Sequence, residues 1–285
     1  MRYPWTVLFV LISNLFVSAQ QDSIPLDLTR KYISGELTDY RSVLTGEAKE
    51  QDFNPKKIAN DAAISYEILL CNQGKAVIAV SIQENKDHTD LYVFWTRENE
   101  WKINAFRALW LPGMFYMMLE KYKDMDEAGI RQEYEKMVND VRKRNDTVSD
   151  ESIARSIGTL DDFRYEVNNM KLTAVPDKDL MEHFNHNLDK FDALLQKAQT
   201  ELLSGSDAWR VGSNSPHKGE MQEILISSVS FPRDNKCVYF LVGGMTDNSV
   251  GYFYCADPDD APVMSTSRYI MIRSLGNGWY LYKTT

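Results

Sequence analysis

The sequence predicts an α+β protein built from two units, each a helical stretch followed by an antiparallel meander, with a helical segment between them. Two regions alternate apolar and polar residues with the period of a β-strand, and the segment between them carries apolar residues at the spacing of amphipathic helices. The 285 residues are 44% hydrophobic and 26% charged, which is typical of a folded protein with one or two domains.

Residues 1–19 predict a signal peptide. Arg2 supplies the positive start, Trp5–Val17 form an apolar run, and Val17-Ser18-Ala19 provides small residues for cleavage after Ala19. The run is shorter than the roughly 20 residues of a spanning helix. We therefore expect an exported chain, periplasmic or extracellular, with no membrane span after cleavage. No cysteine stands at the predicted mature N-terminus, so we expect no lipid anchor.

The predicted first unit covers residues 20–112. Apolar residues at helical spacing predict a helix over Leu26–Leu44, and Pro55 predicts a short helix that ends near Ala62. Short polar separators, including Glu84–Thr89, then suit a meander of hairpins. The four predicted strands are Ile64–Cys71, Lys75–Gln83, Asp90–Arg97 and Trp101–Arg107.

The middle segment, residues 113–175, is predicted to be helical. Thr159–Asp162 favours a helix cap, although Arg164–Thr173 fits an extended strand equally well. The methionine run Met114, Met117 and Met118 is expected to fill the core. The other predicted helices are Met114–Lys123, Asp126–Lys143 and Ser149–Ile157.

The last unit, residues 176–285, begins with the clearest helix of the chain, predicted from Pro176 to Leu203 and closed by Ser204-Gly205. Asn277-Gly278 predicts a type I′ hairpin turn. Five strands are predicted in a meander: Met221–Ser230, Lys236–Gly243, Val250–Cys255, Arg268–Ser274 and Gly278–Lys283.

The two strand regions resemble each other. Each begins Glu-Ile-Leu, at Glu67 and at Glu223, and each ends with a tight turn followed by Trp101 or Trp279. This pattern favours an internal duplication, although any two meanders share such alternation. A helix across a curved antiparallel sheet resembles the cystatin-like and nuclear transport factor 2-like (NTF2-like) architectures. The resemblance concerns the fold and assigns no functional residue.

The charge of the chain excludes some partners. The net charge is −9 at pH 7, and loss of Arg2 with the signal peptide makes it −10. Such a surface repels phosphate backbones, so we expect no nucleic-acid partner. The densest basic run, Arg142-Lys143-Arg144, fits the end of a helix.

Two of the three cysteines are placed to form a disulfide. Folding the last hairpin about Thr246 sets Cys237 opposite Cys255, and one of the two cross-strand pair types suits a bridge. In an oxidising compartment this disulfide is a candidate, and two buried thiols are the alternative. Cys71 is left over.

The histidine pair His183 and His186, with Glu182, is the candidate metal site. A spacing of three residues can place two imidazoles on one ion with a carboxylate as third ligand. At about 100° per residue, however, both histidines lie away from the apolar stripe that includes Leu180 and Phe184. We therefore expect a solvated helix surface, with no metal and no cofactor.

The loop Gly212–Gly219 is the candidate ligand loop. It gathers Ser213, Ser215, His217 and Lys218 between a helix and a strand, where binding loops are common. It lacks the Gly-x-Ser-x-Gly elbow and the P-loop pattern, so a plain turn-rich connection is the alternative.

Two further motifs place loops at the surface. Asp257–Pro262 is acidic but lacks the glycine and glutamate of a calcium loop, so we expect a solvated connection. Asp22-Ser23-Ile24 and Asp146-Thr147-Val148 resemble short glycosylation sites of exported Bacteroidetes proteins.

The sequence favours a non-catalytic binding protein whose ligand is a protein or a glycan. Both alternating sets of Leu91–Trp95 are apolar, which predicts a sheet covered on both faces instead of an exposed aromatic platform. Dinucleotide, zinc-finger and catalytic Cys-His patterns are missing from the sequence. The alternative is a hydrolase acting on glycans or peptides through a carboxylate pair that the sequence does not identify.

Overall fold

The computed structural model describes residues 24–51, 53–55, 58, 61–85, 87–144, 147–201, 209–211, 215–232, 236–245 and 247–285. The predicted signal peptide lies outside these residues. The chain divides into two compact units, one reaching Ala108 and including Ser265–Met271, the other formed by Leu109–Met264 and Ile272–Thr285. Both contain antiparallel sheet and helix, which confirms the α+β class. Among the described helices, none is long and apolar enough to cross a membrane.

The first unit is built on a four-stranded antiparallel sheet in the order β1-β2-β3-β4, which confirms the first predicted meander. The predicted loop Glu84–Thr89 is wrong, because both strands continue through it and pair Gln83 with His88. Asn85, with φ of 53°, adopts the left-handed conformation that tight hairpin turns require. The strands are β1 (Ala63–Cys71), β2 (Lys75–Glu84), β3 (Asp87–Arg97) and β4 (Trp101–Arg107).

Residues 24–33 form helix α1, which ends well before the predicted Leu44. Gly35, with φ of 73°, ends it, and the N–H of Glu36 donates to the carbonyl of Lys31 at 3.0 Å. This is the Schellman motif, which glycine favours because it has no Cβ. Half of the residues of the short helix predicted from Pro55 lie outside the described residues.

Helix α1 packs on one face of the sheet of the first unit. Its buried Thr29 accepts a hydrogen bond from Trp95 Nε1 at 2.9 Å and donates one to the carbonyl of Pro25 at 2.7 Å. These bonds satisfy the polar groups in the core. Both alternating sets of β3 are buried, including Val93 on one face and Tyr92 on the other, as the apolar pattern predicts.

The second unit begins with four helices, and the ambiguous segment 159–175 is one of them. Thr159 Oγ1 accepts from the N–H of Asp162 at 3.2 Å, and Asp162 Oδ2 accepts from the N–H of Thr159 at 3.1 Å. This reciprocal pair is a capping box, and it decides between helix and strand. The four helices are α2 (Gly113–Tyr122), α3 (Glu127–Arg144), α4 (Asp150–Ile157) and α5 (Leu160–Ala174).

The single long helix predicted after Pro176 is wrong, because two helices, α6 (Asp177–His186) and α7 (Leu188–Glu201), meet at Asn187. The side-chain amide of Asn187 donates to the carbonyl of His183 at 2.9 Å. The backbone N–H of Asn187 therefore bonds the carbonyl of Phe184 at 3.0 Å, and the helix is interrupted.

A six-stranded sheet has the order β5-β6-β7-β8-β10-β9, and all of it except the first three residues of β9 belongs to the second unit. The predicted five-strand meander is wrong, because β10 lies between β8 and β9. Asn277 and Gly278 both have positive φ, 51° and 82°, as the predicted type I′ turn requires. The strands are β5 (Trp209–Arg210), β6 (Ser228–Ser230), β7 (Val238–Met245), β8 (Asn248–Tyr254), β9 (Tyr269–Gly276) and β10 (Trp279–Thr284).

The strand predicted over Met221–Ser230 is also wrong for most of its length. Helix α8 (Lys218–Glu223) and a turn at Leu225, with φ of 54°, occupy its first half. The Glu-Ile-Leu segment at Glu223 therefore differs in conformation from the one in β1, so this part of the sequence match is not a structural match. The duplication stays a prediction.

An aromatic core joins α6 and α7 to the sheet of the second unit. Phe184, Phe191 and Tyr252 are buried, with ring centroids 4.9–5.3 Å apart. The hydroxyl of Tyr252 donates to the carbonyl of Leu180 at 2.8 Å, and burial raises its pKa. Trp279 Nε1 donates to Asp192 Oδ1 at 3.0 Å at the rim of this core.

Candidate functional site

Five large and mostly apolar side chains are exposed on helix α2 and just before it. Met117 is 76% exposed, Trp110 68% and Met114 62%. Because large apolar side chains are usually buried, a contiguous exposed group of them marks an interaction site. We call this group the α2 surface, and its members are Trp110, Met114, Tyr116, Met117 and Met118.

The helical period explains why α2 exposes these residues. Tyr122 is buried and contacts Phe163 of α5 edge-on, with ring centroids 5.9 Å apart. Phe115 and Leu119 are half-buried and follow the same spacing of three or four residues. Met117 lies roughly 170° around the helix axis from the centre of that stripe, on the opposite side.

The expectation that the methionine run fills the core is therefore wrong. Helix α2 carries apolar residues nearly all round, so its pattern does not indicate which side is buried. Of its residues, Tyr122 packs into a cluster with Ile130, Phe163 and Val167. Exposed methionines are common at binding surfaces because their flexible side chains adapt to a partner.

Ion pairs balance the charges beside the α2 surface. Lys121 Nζ lies 2.6 Å from Glu133 Oε1, and Lys123 Nζ lies 2.8 Å from Glu120 Oε2. The hydrogen bond with Glu133 raises the pKa of Lys121, and the same bond lowers the pKa of Glu133. The surface therefore offers apolar contact without an excess of either charge.

The predicted metal-site residues do not converge. His183 is half-buried, against the expectation of a solvated side chain, and its Nε2 donates to the carbonyl of Ile224 at 3.0 Å. His186 is exposed, and its Nδ1 donates to the backbone carbonyl of Glu182 at 2.7 Å. Within the described part of the chain, no three His, Cys, Asp or Glu side chains form a group able to hold a metal ion.

The half-buried His183 predicts a pH dependence of stability. Burial lowers its pKa, so the folded chain binds fewer protons than the unfolded chain, whose histidine titrates near about 6.5. The stabilisation from neutral His183 is complete above that value and is lost as the pH falls through the lower folded pKa. The variant His183→Gln keeps a donor for Ile224 and does not titrate. Urea unfolding between about pH 7.5 and about pH 5 should show the wild type losing more stability than the variant; parallel curves would disprove this role.

The candidate ligand loop makes internal contacts. Ser213 lies outside the described residues, and Ser215 Oγ accepts from the N–H of His217 at 3.3 Å. His217 is 9% exposed, with Nδ1 3.2 Å from Glu220 Oε1 and Nε2 3.0 Å from Glu201 Oε2. Because an ionised carboxylate only accepts, both contacts are hydrogen bonds when both ring nitrogens carry protons. The imidazole thus links α7 to α8.

Lys218, the remaining residue of that loop, pairs with Asp162 at 2.6 Å. Burial opposes ionisation of Asp162, yet hydrogen bonds from Lys218, Thr159 and Gln222 hold its pKa well below the usual range. One turn later, burial and the charge of Asp162 raise the pKa of Glu166. Opposite shifts on neighbouring carboxylates are typical of an acid and base pair. Here the oxygens of Asp162 already accept hydrogen bonds from Thr159, Gln222 and Lys218. Asp162 therefore acts as part of the helix cap.

A disulfide joins Cys237 and Cys255 across the β7–β8 hairpin. Their Cα atoms are 4.5 Å apart, the spacing of a non-hydrogen-bonded cross-strand pair. The pair continues the register of Val238 with Tyr254. Cys71 is half-buried at the end of β1.

Sequence reasoning missed a polar network on β2 and β3. Ser81 Oγ lies 2.7 Å from His88 Nε2, Asp90 Oδ1 lies 3.0 Å from both, and His88 Nδ1 lies 3.1 Å from Gln83 Oε1. In Ser-His-Asp catalysis the acid holds the other ring nitrogen. Here Asp90 engages the nitrogen that faces Ser81, so the imidazole does not act as its base. The sequence signal for this network is that its residues alternate along two strands joined by a tight turn. We missed it because Glu84–Thr89 was predicted to be a loop.

No protein-family model matches the chain, and neither a curated protein nor a solved structure matches it significantly. The function is therefore inferred from the residues of the chain itself. Of the sites described above, the α2 surface has the properties of a contact region, whereas the other clusters are engaged in internal hydrogen bonds.

Proposed function

We propose that the chain is an exported, non-catalytic interaction protein that binds a partner through the α2 surface. The observation that carries this proposal is the exposure of Met114 and Met117 on one side of α2 and of Trp110 just before the helix begins. Burying each such side chain contributes about 1.5–3 kcal/mol. A partner that covers all three therefore gains a large part of the free energy needed for a specific complex.

The composition of the α2 surface favours a protein partner over a glycan. Methionine, tryptophan and tyrosine are enriched in the buried centres of protein interfaces. Three of the five members are methionines, which have no flat ring on which a sugar could stack. Ion pairs such as Lys121 with Glu133 border this centre, as polar rims border protein interfaces.

Export is supported by the signal-peptide pattern and by the disulfide, which persists in oxidising compartments. We predict that the mature chain begins at Gln20. Intact mass and N-terminal sequencing of the protein from the exported fraction should find this end. An exported chain that retains Arg2 would contradict the cleavage.

Photo-cross-linking tests the proposed binding. A photoreactive residue is placed at Met117, and a matched control is placed at Glu135, which is exposed on α3. Illumination in exporting cells should give one discrete adduct from position 117 and none from position 135. Adding Met114→Glu should reduce that adduct several-fold. Equal adducts from both positions, or none from position 117, would refute the proposal.

A second candidate function is a carboxylate-based hydrolase acting on glycans or peptides. The raised pKa of Glu166 beside the lowered pKa of Asp162 favours it, while the hydrogen bonds that occupy Asp162 oppose it. A panel of chromogenic glycosides and peptides tests this alternative. Turnover by the wild type that Glu166→Gln abolishes would replace the non-catalytic proposal.

A further inference from the structure

We infer that the partner of the α2 surface is a second copy of this chain, so that two α2 helices pack against each other in a symmetric dimer. This inference rests on the proposed function, because it names the partner of the same surface. It is carried by the area of the surface, its position on the helix and the balance of charge around it.

The exposed area is sufficient for a dimer. Tyr116 lies roughly 150° around the helix axis from the centre of the three methionines and is left out of this area. Taking roughly 200 Å² for each of the other four side chains, their exposed fractions leave about 500 Å² uncovered. In a two-fold dimer each copy buries this area, about 1,000 Å² in total, which is the smallest area expected of a biological interface. The α2 surface alone therefore supports a dimer that dissociates on dilution.

The position of the surface suits two-fold symmetry. A two-fold interface uses the same patch on both copies, so the patch must fit itself. Met117 is near the middle of the ten residues of α2, a helix about 15 Å long. An axis beside Met117 places the methionines of one helix against those of the other, and their flexible side chains can interdigitate.

The charge around α2 favours a copy of the chain at this place. Two mature copies, each with a net charge of −10 once Arg2 is removed from the −9 of the full chain, repel each other over most of their surfaces. The stretch Glu120–Asp124 holds two acidic and two basic residues, and Lys121 and Lys123 form ion pairs. Like-charge repulsion is therefore weak at the end of α2, and no local excess of charge selects a basic or an acidic partner.

Sedimentation velocity of the mature chain tests the dimer. From about 1 μM to a few hundred μM, the average mass should rise from one chain toward two. Met117→Glu should weaken dimerisation at least tenfold. The matched control is Val263→Glu, because Val263 is 73% exposed, lies outside the α2 surface and receives the same charge. This control should leave the dimer unchanged, and both variants should unfold at the temperature of the wild type.

The outcomes separate this inference from the proposed function. A mass of one chain at every concentration, or equal weakening by both substitutions, overturns the dimer. If the adduct from position 117 then contains a different protein, the proposed function still holds and only its partner changes. If position 117 gives no specific adduct, the proposed function fails as well.

Discussion

Replacing Asp177 by alanine will lower the free energy of unfolding by about 3–5 kcal/mol, as expected when a buried ion pair loses one partner. Asp177 is 4% exposed at the start of α6, and its Oδ1 lies 2.7 Å from the Nζ of Lys283, itself 3% exposed. Its Oδ2 lies 3.3 Å from Arg273 on β9. The substitution removes the carboxylate that pairs with both Arg273 and Lys283. Because these side chains are largely buried, water does not take the place of the lost carboxylate. Urea unfolding at neutral pH measures the loss.

Asp179 provides the matched control for Asp177. It lies in the same first turn of α6, where an acidic residue interacts favourably with the helix dipole, but it is exposed. Asp179→Ala should cost at most about 1 kcal/mol. Adding Lys283→Met to Asp177→Ala should recover part of the lost stability. Equal losses for the two alanine variants would show that the helix dipole, and not the buried charges, explains the effect.

Reduction of the Cys237–Cys255 disulfide will lower the free energy of unfolding by about 3 kcal/mol. The bridge spans 18 residues, and the loop-closure entropy that it removes from the unfolded chain gives roughly this value. Unfolding is measured with and without a thiol reductant. The double variant Cys237→Ala, Cys255→Ala should lose this sensitivity, whereas Cys71→Ala should keep it. A wild type that is unaffected by the reductant would contradict a stabilising disulfide.

The elements that local chemistry determines could be predicted from the sequence. Strand β4 runs from Trp101 to Arg107, as the alternation around its tight turn predicts. The pair Cys237 and Cys255 follows from hairpin register alone. The capping box of Thr159 and Asp162 could be predicted as a helix cap, although the segment that follows it also fitted a strand.

The elements that depend on tertiary contacts could not be predicted from the sequence. The residues around Asn187 predict a continuous helix. The helix is interrupted there because the side-chain amide of Asn187 donates to the carbonyl of His183. Ile224 and Ile226 are spaced like residues on one face of a strand, yet both are buried next to α8, where Ile226 N–H donates to the carbonyl of Met221 at 2.9 Å. Strand β10 lies between β8 and β9 because it pairs with β8 over a long sequence distance, and local sequence patterns do not predict such pairings.

The α2 surface was likewise predictable only in its local features. The sequence shows Met114, Met117 and Met118 at helical spacing, whereas Trp110, which lies before the helix, was not identified as part of a site. When a helix carries apolar residues nearly all round, the neighbouring elements decide which side faces solvent, and here only the stripe of Phe115, Leu119 and Tyr122 is buried or half-buried. Sequence reasoning assigned such residues to the core because that is where most of them lie.

A partner that covers the α2 surface when the protein functions will protect its methionines from oxidation. Met117 is 76% exposed and Met245 38%, while Met221 and Met271 are buried and serve as internal references. In dilute purified protein, peroxide should oxidise Met117 faster than Met245, since oxidation follows exposure. In the exported fraction of intact cells, Met117 should be protected several-fold while Met245 reacts as before. Oxidation of Met117 at the same rate in both settings would show that no partner covers α2.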